Sequence, residues 1–499
     1  MIAILLNGQF IKKHFIRKNR NMRKVLFAIT TSLLAVMSIH AQVKLDTPPM
    51  GWNSFDSYGV YLHHEAAIKN IDVMAEKYLP YGYEYFVIDA GWFGEFRLQE
   101  GTIYPAEKHA ANLRINEYGL LQPSKTYFPN GLKVLADRAH SKGLKFGVHI
   151  MRGIPRISVS RNTKIKGTNY HAQDIADTVN ICTWCPQNYG IDMSKPGAQE
   201  FYNSFIEQLA SWGIDFIKAD DIVPFPKEVE ALVHAIKQCN RPIVLSLSPG
   251  DVVDPKAINT FTKANMLRIT HDIWDDQKGI DSGFAGWQKW QGKHFANFYF
   301  DMDMIPFGEL QIMSPVPEGF AGKEGQEKFM KQKKEGKLSD IELLAGKGWH
   351  RQSEFTKEQQ LTFITMRALA ASPLMIGGDL ASMDDYSYSL LTNAEMIKCN
   401  QNGVVGSLVY KTAQIEVWLT PSKENKNSAW LGVFNRDKKN RATFRLSTIA
   451  NQISFNNKSS FYNVWENKNI NPANTLEIAP NSVVFIKQIA SKQSKYRPL

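Results

Sequence analysis

The sequence predicts an α/β protein: a (β/α)8 TIM barrel followed by a C-terminal antiparallel β-sandwich domain. Two patterns lead to this reading. Between residues 48 and 400, short β-branched or aromatic runs alternate with longer stretches of helical periodicity, the order expected of a parallel barrel. Beyond residue 403 the helical stretches stop. Closely spaced strand-like runs then follow one another between Asn, Lys, Ser and Pro, as in an all-β module.

Eight runs in the first region read as strands: "PMGWNSF" (49–55), "YFVIDAGW" (85–92), "KFGVHIM" (145–151), "FIKAD" (216–220), "PIVLSLSP" (242–249), "MLRITHD" (266–272), "ANFYFDMDM" (296–304) and "SPLMIGG" (372–378). Amphipathic stretches such as "GLKVLADRAHSKG" and "GAQEFYNSFIEQLASWG" separate them. A doubly wound open sheet is the rival, but no GxGxxG follows an early strand. The Lys-, Glu- and Gly-rich segment 308–352 reads as an inserted loop or lid. The barrel is thus expected over 44–402 and the β-domain over 403–490.

Polar residues gather at the C-terminal ends of these runs: Asp89, His149, Asp220, Ser248, Asp272, Asp301 and Asp303. A barrel builds its active site at that face. Helix capping would account for one or two of them, not for residues still within a strand. In "FIKADDI" (216–222), residues two apart share a face. Lys218 and Asp220 therefore point together into the barrel mouth, while Asp221 points away or opens the loop. "RITHDIWDD" repeats the arrangement with Arg268, Thr270 and Asp272. Two carboxylates flanked by cations suit retaining glycoside hydrolysis, in which one attacks the anomeric carbon and the other acts as acid and then base. Neighbouring Lys and Arg keep the nucleophile ionised and bind sugar hydroxyls. Two structural salt bridges are the competing reading of the same residues.

The chain of 499 residues has a net charge of +11. Its first 43 residues hold seven Lys and Arg and no acid. "RNMRK", the apolar run 25–39 and "HAQ" read as a signal peptide over 1–41, with Met22 as an alternative start. The run is short for a membrane span, which takes about 20 residues. Without the leader the charge falls to +4, so no nucleic-acid partner is implied. The mature chain is expected to be secreted or periplasmic, with no stable membrane span. "CTWC" (182–185) is a lone CxxC without the second pair a zinc site would need. Either a local disulfide or buried free thiols would suit it.

"TPPMGWNSF", "YFVIDAGW", "GLKFGVHIM", "WGIDFIKAD", "RPIVLSLS", "DMDMIPFG" and "ASPLMIGGDL" followed by "LLTNAEMIKCNQN" resemble, in order, the landmarks of glycoside hydrolase family 27, the α-galactosidase (melibiase) and α-N-acetylgalactosaminidase family. The resemblance runs from about Thr47 through the β-domain. It implies the barrel and β-domain above, a retaining mechanism, a carbohydrate substrate, and no metal or cofactor. By position, Asp220 resembles the nucleophile and Asp272 the acid/base. Lys218 and Arg268 resemble ligands of sugar hydroxyls, and Asp89 a carboxylate that binds galactose around O4 and O6. Phe55 stands where the family usually has a tryptophan.

Several positions depart from the family pattern. Ala90 replaces the second of two adjacent aspartates and removes a ligand for O4 and O6. Ser248 stands where galactose-preferring members often carry a bulkier acid that crowds the 2-position. Ile222 replaces a cysteine, which leaves Cys182 without that partner. His149 and Arg152, in "HIMRGIPR", are expected to supply contacts that Ala90 no longer provides. The expected protein is an exported retaining α-galactosidase acting on terminal α-linked galactose of oligo- or polysaccharides. An α-N-acetylgalactosaminidase or another α-glycosidase of the family is the alternative. A non-catalytic carbohydrate-binding barrel is the reading from a different class.

Overall fold

All eight runs become strands of one parallel sheet: β1 (Met50–Asn53), β2 (Tyr85–Ile88), β3 (Lys145–Met151), β4 (Phe216–Asp220), β5 (Val244–Leu247), β6 (Met266–Arg268), β7 (Tyr299–Asp301) and β8 (Leu374–Ile376). They pair in sequence order, and β8 returns to β1 through Met50↔Leu374 and Gly51↔Met375. The remaining seam closes just beyond β7. Ile305 bridges Ile376, donating to the Met375 carbonyl and accepting from Gly377. The ring is therefore a closed barrel, buried on both faces, which is why its strands read as near-continuous apolar runs. The computed structural model describes residues 43–94, 113–182, 185, 187–313, 350–425, 427–453 and 459–489, with Glu324, Glu327, Lys328, Lys331 and Glu335 besides. The expected signal peptide and most of the inserted segment lie outside the described residues. The ends of that insertion do meet, in a short antiparallel ladder pairing Glu309 with Gln352.

Helices cover the outside: α1 (His64–Val73), α2 (Lys133–Ser141), α3 (Ala198–Ser211), α4 (Pro226–Gln238), α5 (Gln277–Trp290) and α6 (Lys357–Leu369). In α3 the buried residues Ala198, Phe201, Tyr202, Phe205, Ile206 and Leu209 follow helical spacing and form one stripe toward the sheet. Two starts are set by side-chain caps: Asp276 accepts from Gly279 at α5, and Thr356 with Gln359 forms a capping box at α6. After β5 the chain makes only a 3-10 turn, Pro255–Thr260.

Inside the barrel, Tyr85, Val87, Phe216, Val244, Met266, Met304 and Met375 pack into a separate apolar plug. Aromatic residues fit there because two facing positions are glycine. A Cβ at Gly51 would lie 2.2 Å from the Tyr85 carbonyl oxygen, and one at Gly147 would lie 2.7 Å from Phe216 Cβ. The same inward-facing rows turn polar two residues further up the strands. This places Asp89, His149, Lys218, Asp220 and Arg268 above the plug. The 266–272 run ends as strand at Arg268, so the expected Arg268–Thr270–Asp272 alternation does not lie on a strand. Asp272 reaches Arg268 from the loop instead.

The C-terminal module holds β9 (Ser407–Lys411), β10 (Ile415–Pro421), β11 (Ser428–Asn435), β12 (Ala442–Phe444), β13 (Ser460–Asn463), β14 (Lys468–Ile470), β15 (Leu476–Ile478) and β16 (Val483–Ile489). Its six-stranded antiparallel sheet runs β9-β10-β11-β16-β13-β14 and is faced by the β12–β15 pair. The sheet joins the barrel along α5 and α6. Trp287 stacks on Trp418 with centroids 3.8 Å apart, and Phe434 meets Phe284 edge-on at 5.0 Å. Trp287 Nε1 donates to the Gly406 carbonyl at 2.9 Å, and Thr362 Oγ1 to that of Asn481 at 2.7 Å.

Gly51→Ala should strain the barrel, because the atom it meets is backbone. A loss of about 1–3 kcal/mol is expected, read as a lower Tm with little change in the far-UV spectrum. An unchanged Tm would mean that the β1–β2 approach relaxes freely.

Candidate active site

The mouth of the barrel is built around Lys218. Its ammonium donates to Asp89 Oδ2 at 2.8 Å, and Asn53 Nδ2 donates to the same oxygen at 2.8 Å. Burial pushes the lysine down, but Asp89, Asp220 and Asp303 outweigh it and hold Lys218 above its ordinary range. Burial likewise pushes Asp89 up, and Lys218 and His149 bring it below the usual carboxylate range. Asp220, at the tip of β4, accepts from the Asp221 amide at 3.0 Å and lies 3.3 Å from His149 Nε2. Burial alone would raise its pKa. The hydrogen bond and electrostatic pull of His149, with Lys218 and Arg268, hold Asp220 well below the usual range.

Arg268 is the second cation of the mouth. Its Nη1 lies 2.8 Å from Asp272 Oδ1 and 3.6 Å from Asp303 Oδ2. Burial pushes Arg268 down, and Asp303, Asp272, Asp220 and Asp301 lift it above its usual value. It thus faces both candidate catalytic carboxylates. Asp272 keeps 42% of its side chain exposed, whereas Asp303 is buried and accepts from the Ile273 amide at 2.8 Å. Beneath them, Arg367 of α6 donates to the Met302 and Met304 carbonyls at 2.7 and 3.2 Å. Two further acids are pushed the other way. Burial and the charge of Asp303 raise Asp301 to about 6, and they raise Asp56, whose oxygens are buried without a hydrogen-bond partner, well above its ordinary value.

These groups open into one cavity of about 670 Å3. Of the residues expected to form the site, Phe55, Asp89, His149, Lys218, Asp220, Arg268 and Asp272 line it, and so does Ala90. The Lys218 ammonium sits 6.0 Å from the Phe55 ring centroid. Asp303, Asp56, Met304 and Trp274 also line it and were not singled out as site residues. Asp303 was legible as one of the polar strand ends, and Trp274 as the aromatic two places after Asp272.

Two expectations are corrected. Arg152 does not reach the sugar cavity. Its guanidinium pairs with Asp221 at 3.0 Å and Glu228 at 2.9 Å and lies 3.4 Å from the centre of the Phe225 ring. A buried guanidinium needs such partners, and both lie behind β4. Asp221 stands at φ 57°, a region uncommon for a residue with a side chain. Arg152 Nε holds its carbonyl and carboxylate at 3.0 and 3.1 Å, directly next to Asp220. Ser248 is buried behind the cavity wall, its amide and carbonyl tied to Ala219 and Ile222, and the lining residue is Pro249. Cys182 and Cys185 form no disulfide, and burial pushes Cys185 up to about 12.

A closed barrel whose C-terminal mouth holds an ionised, buried carboxylate and an exposed one around a shared arginine has the layout of a glycoside hydrolase. The Melibiase family model matches residues 28–227. The chain is 33% identical to a β-L-arabinopyranosidase of glycoside hydrolase family 27 from Geobacillus stearothermophilus, with a TM-score of 0.77 over 90% of this chain and 98% of that one. It is 32% identical to a putative α-N-acetylgalactosaminidase from Bacillus halodurans, with a TM-score of 0.71 over 89% and 98%. An α-galactosidase from Cyamopsis tetragonoloba is 26% identical over 76% of this chain and 71% of that protein. The chain belongs to glycoside hydrolase family 27.

His149→Phe removes the largest downward influence on Asp220. The Asp220 carboxylate should then protonate at higher pH, and the acid limb of kcat/KM should move upward. An unmoved limb would separate His149 from Asp220. Arg152→Met should leave Asp221 and Glu228 without their shared partner and cost about 3–5 kcal/mol of stability. A higher KM at unchanged Tm would instead return Arg152 to the sugar site.

Proposed function

We propose that this chain is an exported, retaining, exo-acting glycosidase that removes a terminal α-D-galactopyranosyl residue from an oligo- or polysaccharide. The observation that carries this is the pairing, in one cavity, of buried ionised Asp220 with exposed Asp272 across Arg268. In this reading Asp220 attacks the anomeric carbon while Asp272 protonates the departing glycosidic oxygen. Asp272 then takes a proton from water, which cleaves the glycosyl ester and frees Asp220. Asp89 and Lys218 accept from and donate to sugar hydroxyls beside Phe55. The inner end of the cavity is closed by Met304 above the apolar plug, which suits a chain end rather than a through-running chain. Export rests on the basic and apolar leader in the sequence.

A second reading is favoured by Ala90. β-L-Arabinopyranose is the same ring as α-D-galactopyranose without the C6 hydroxymethyl. Ala90, Val60 and Phe93 give the cavity an apolar wall, which suits a sugar lacking that group, and the 33%-identical relative bears that activity in its name. Comparing kcat/KM on 4-nitrophenyl α-D-galactopyranoside, β-L-arabinopyranoside and α-N-acetylgalactosaminide decides among the sugars. A preference for the galactoside supports the first reading, and one for the arabinopyranoside replaces it with the second. Ala90→Asp should shift the ratio toward the galactoside, since a hydroxyl contact made by a buried acid is expected to contribute about 1–3 kcal/mol.

Asp220→Asn should lose essentially all turnover on every active substrate with the fold intact. Asp272→Asn should lose most on natural leaving groups and least on activated aryl ones, with azide restoring turnover as the glycosyl azide. Equal losses on both substrate types without azide rescue would remove Asp272 from the acid/base role.

A further inference from the structure

Asp272 is carried by a stretch with no regular structure. Strand β6 ends at Arg268, and α5, whose Lys278, Asp281 and Ser282 line the outer part of the cavity, begins at Gln277. A general acid works only within hydrogen-bond reach of the oxygen it protonates. The Asp272 side chain is exposed and meets Arg268 at 2.8 Å, so its aim follows the backbone of residues 269–276.

That backbone is fastened at several points. The Ile269 amide donates to the Asp301 carbonyl at 2.8 Å, and the Ile273 amide to Asp303 Oδ2 at 2.8 Å. Asp275 is a third fastening. Its Oδ1 accepts from Arg351 Nη2 at 2.6 Å, and its Oδ2 from Arg351 Nε at 3.2 Å and from the Glu354 amide at 2.8 Å. Only 4% of the Asp275 side chain and 16% of that of Arg351 is exposed. Neither residue lines the sugar cavity. The same guanidinium lies 5.7 Å from the Trp274 ring centroid, so it bears on two successive residues of the loop.

Arg351 comes from the return end of the inserted segment, where it stands opposite Leu310 in the ladder that joins the two ends. That ladder is mounted on the barrel. The Glu309 carbonyl accepts from the Asp379 amide at 3.0 Å, and the Gln311 amide donates to the Asp56 carbonyl at 2.9 Å. A two-pronged guanidinium on such a mount fixes both the distance and the plane of the carboxylate it holds. The nucleophile side is built alike, since Arg152 holds Asp221 beside Asp220. Each candidate catalytic carboxylate therefore lies near an aspartate clamped by an arginine that stays outside the sugar cavity.

We propose that Arg351, acting through Asp275, is a positioning residue for the acid/base, so that the return end of the insertion sets how Asp272 meets the leaving-group oxygen. The proposal rests on the glycosidase reading above. A salt bridge that served stability alone would lower Tm and scale turnover equally on every substrate. A positioning role acts on proton donation. In kcat/KM, which reports the first bond cleavage, poor leaving groups need the acid and activated ones do not.

Arg351→Met and Arg351→Lys are assayed beside the wild type and Asp272→Asn on the methyl and 2,4-dinitrophenyl glycosides of the preferred sugar. Arg351→Met should lose about tenfold in kcat/KM on the methyl glycoside and less than about twofold on the dinitrophenyl one, a milder copy of Asp272→Asn. Arg351→Lys keeps the charge without the fork and should fall between wild type and Arg351→Met. Should Arg351→Met fail to fold, Arg351→Lys carries the same comparison. Equal losses on both glycosides, or none on either, would overturn the proposal. If Asp272→Asn still shows leaving-group dependence in that case, the glycosidase reading stands. If Asp272→Asn shows none, the acid/base assignment and the proposal fall together.

Discussion

Everything at the mouth of this barrel depends on one buried ammonium. Lys218 stands on an inward-facing row of β4, above an apolar plug, with only 12% of its side chain exposed. An isolated charge there would cost several kcal/mol. It stays charged only because Asp89 lies 2.8 Å away and the Asp220 charge also favours it. The dependence runs both ways, since Asp89 and Asp220 remain ionised in burial because Lys218 is beside them. "FIKADDI" spends three charges at a strand end for this reason. Two of them make the site. The third, Asp221, turns outward to Arg152 and pins the backbone on which Asp220 sits.

Around that centre the same residue type is held in opposite states. Asp89 and Asp220 are pushed below the ordinary carboxylate range, whereas Asp56 and Asp301 are pushed above it. The difference is the company each keeps. Asp220 faces His149, Lys218 and Arg268, while Asp56 and Asp301 face Asp303 in a buried setting. Opposed environments of this kind pull carboxyl groups a few residues apart toward different proton affinities. Arg268, within reach of Asp272 and Asp303 and sensed by Asp220, joins the two halves.

The strands of the barrel were legible because both faces are buried, so each of the eight was an apolar run ended by polar residues. Where each strand stops was not legible. Backbone pairing with the neighbour decides that, and β6 ends at Arg268 while the chain still looks strand-like to Asp272. The parity of Lys218, Asp220 and Asp221 was readable from period two alone. Arg152 was misread because a cation near a strand end looks the same whether it faces a cavity or a helix. Only the positions of Glu228 on α4 and of the left-handed Asp221 distinguish the cases. Ser248 was misplaced by one residue for a related reason, since β5 stops at Leu247. The α5 face carried no motif, because lining a cleft asks only for surface.

The union of Trp287 with Trp418, and of Asp281 with Arg436, bears on how such a chain changes over evolutionary time or in the hands of an engineer. The β-sheet module follows the barrel in sequence, so it looks like an appendage that could be exchanged or trimmed. Yet its indole and phenyl rings complete the packing of the helix that begins five residues after Asp272. A replacement module would have to reproduce that ring-on-ring surface and the cation beside it, or the helix would drift and carry the acid/base loop with it. Inheritance of the two modules is therefore coupled, and recombination between relatives should prefer breakpoints that keep α5, α6 and the sheet from one parent.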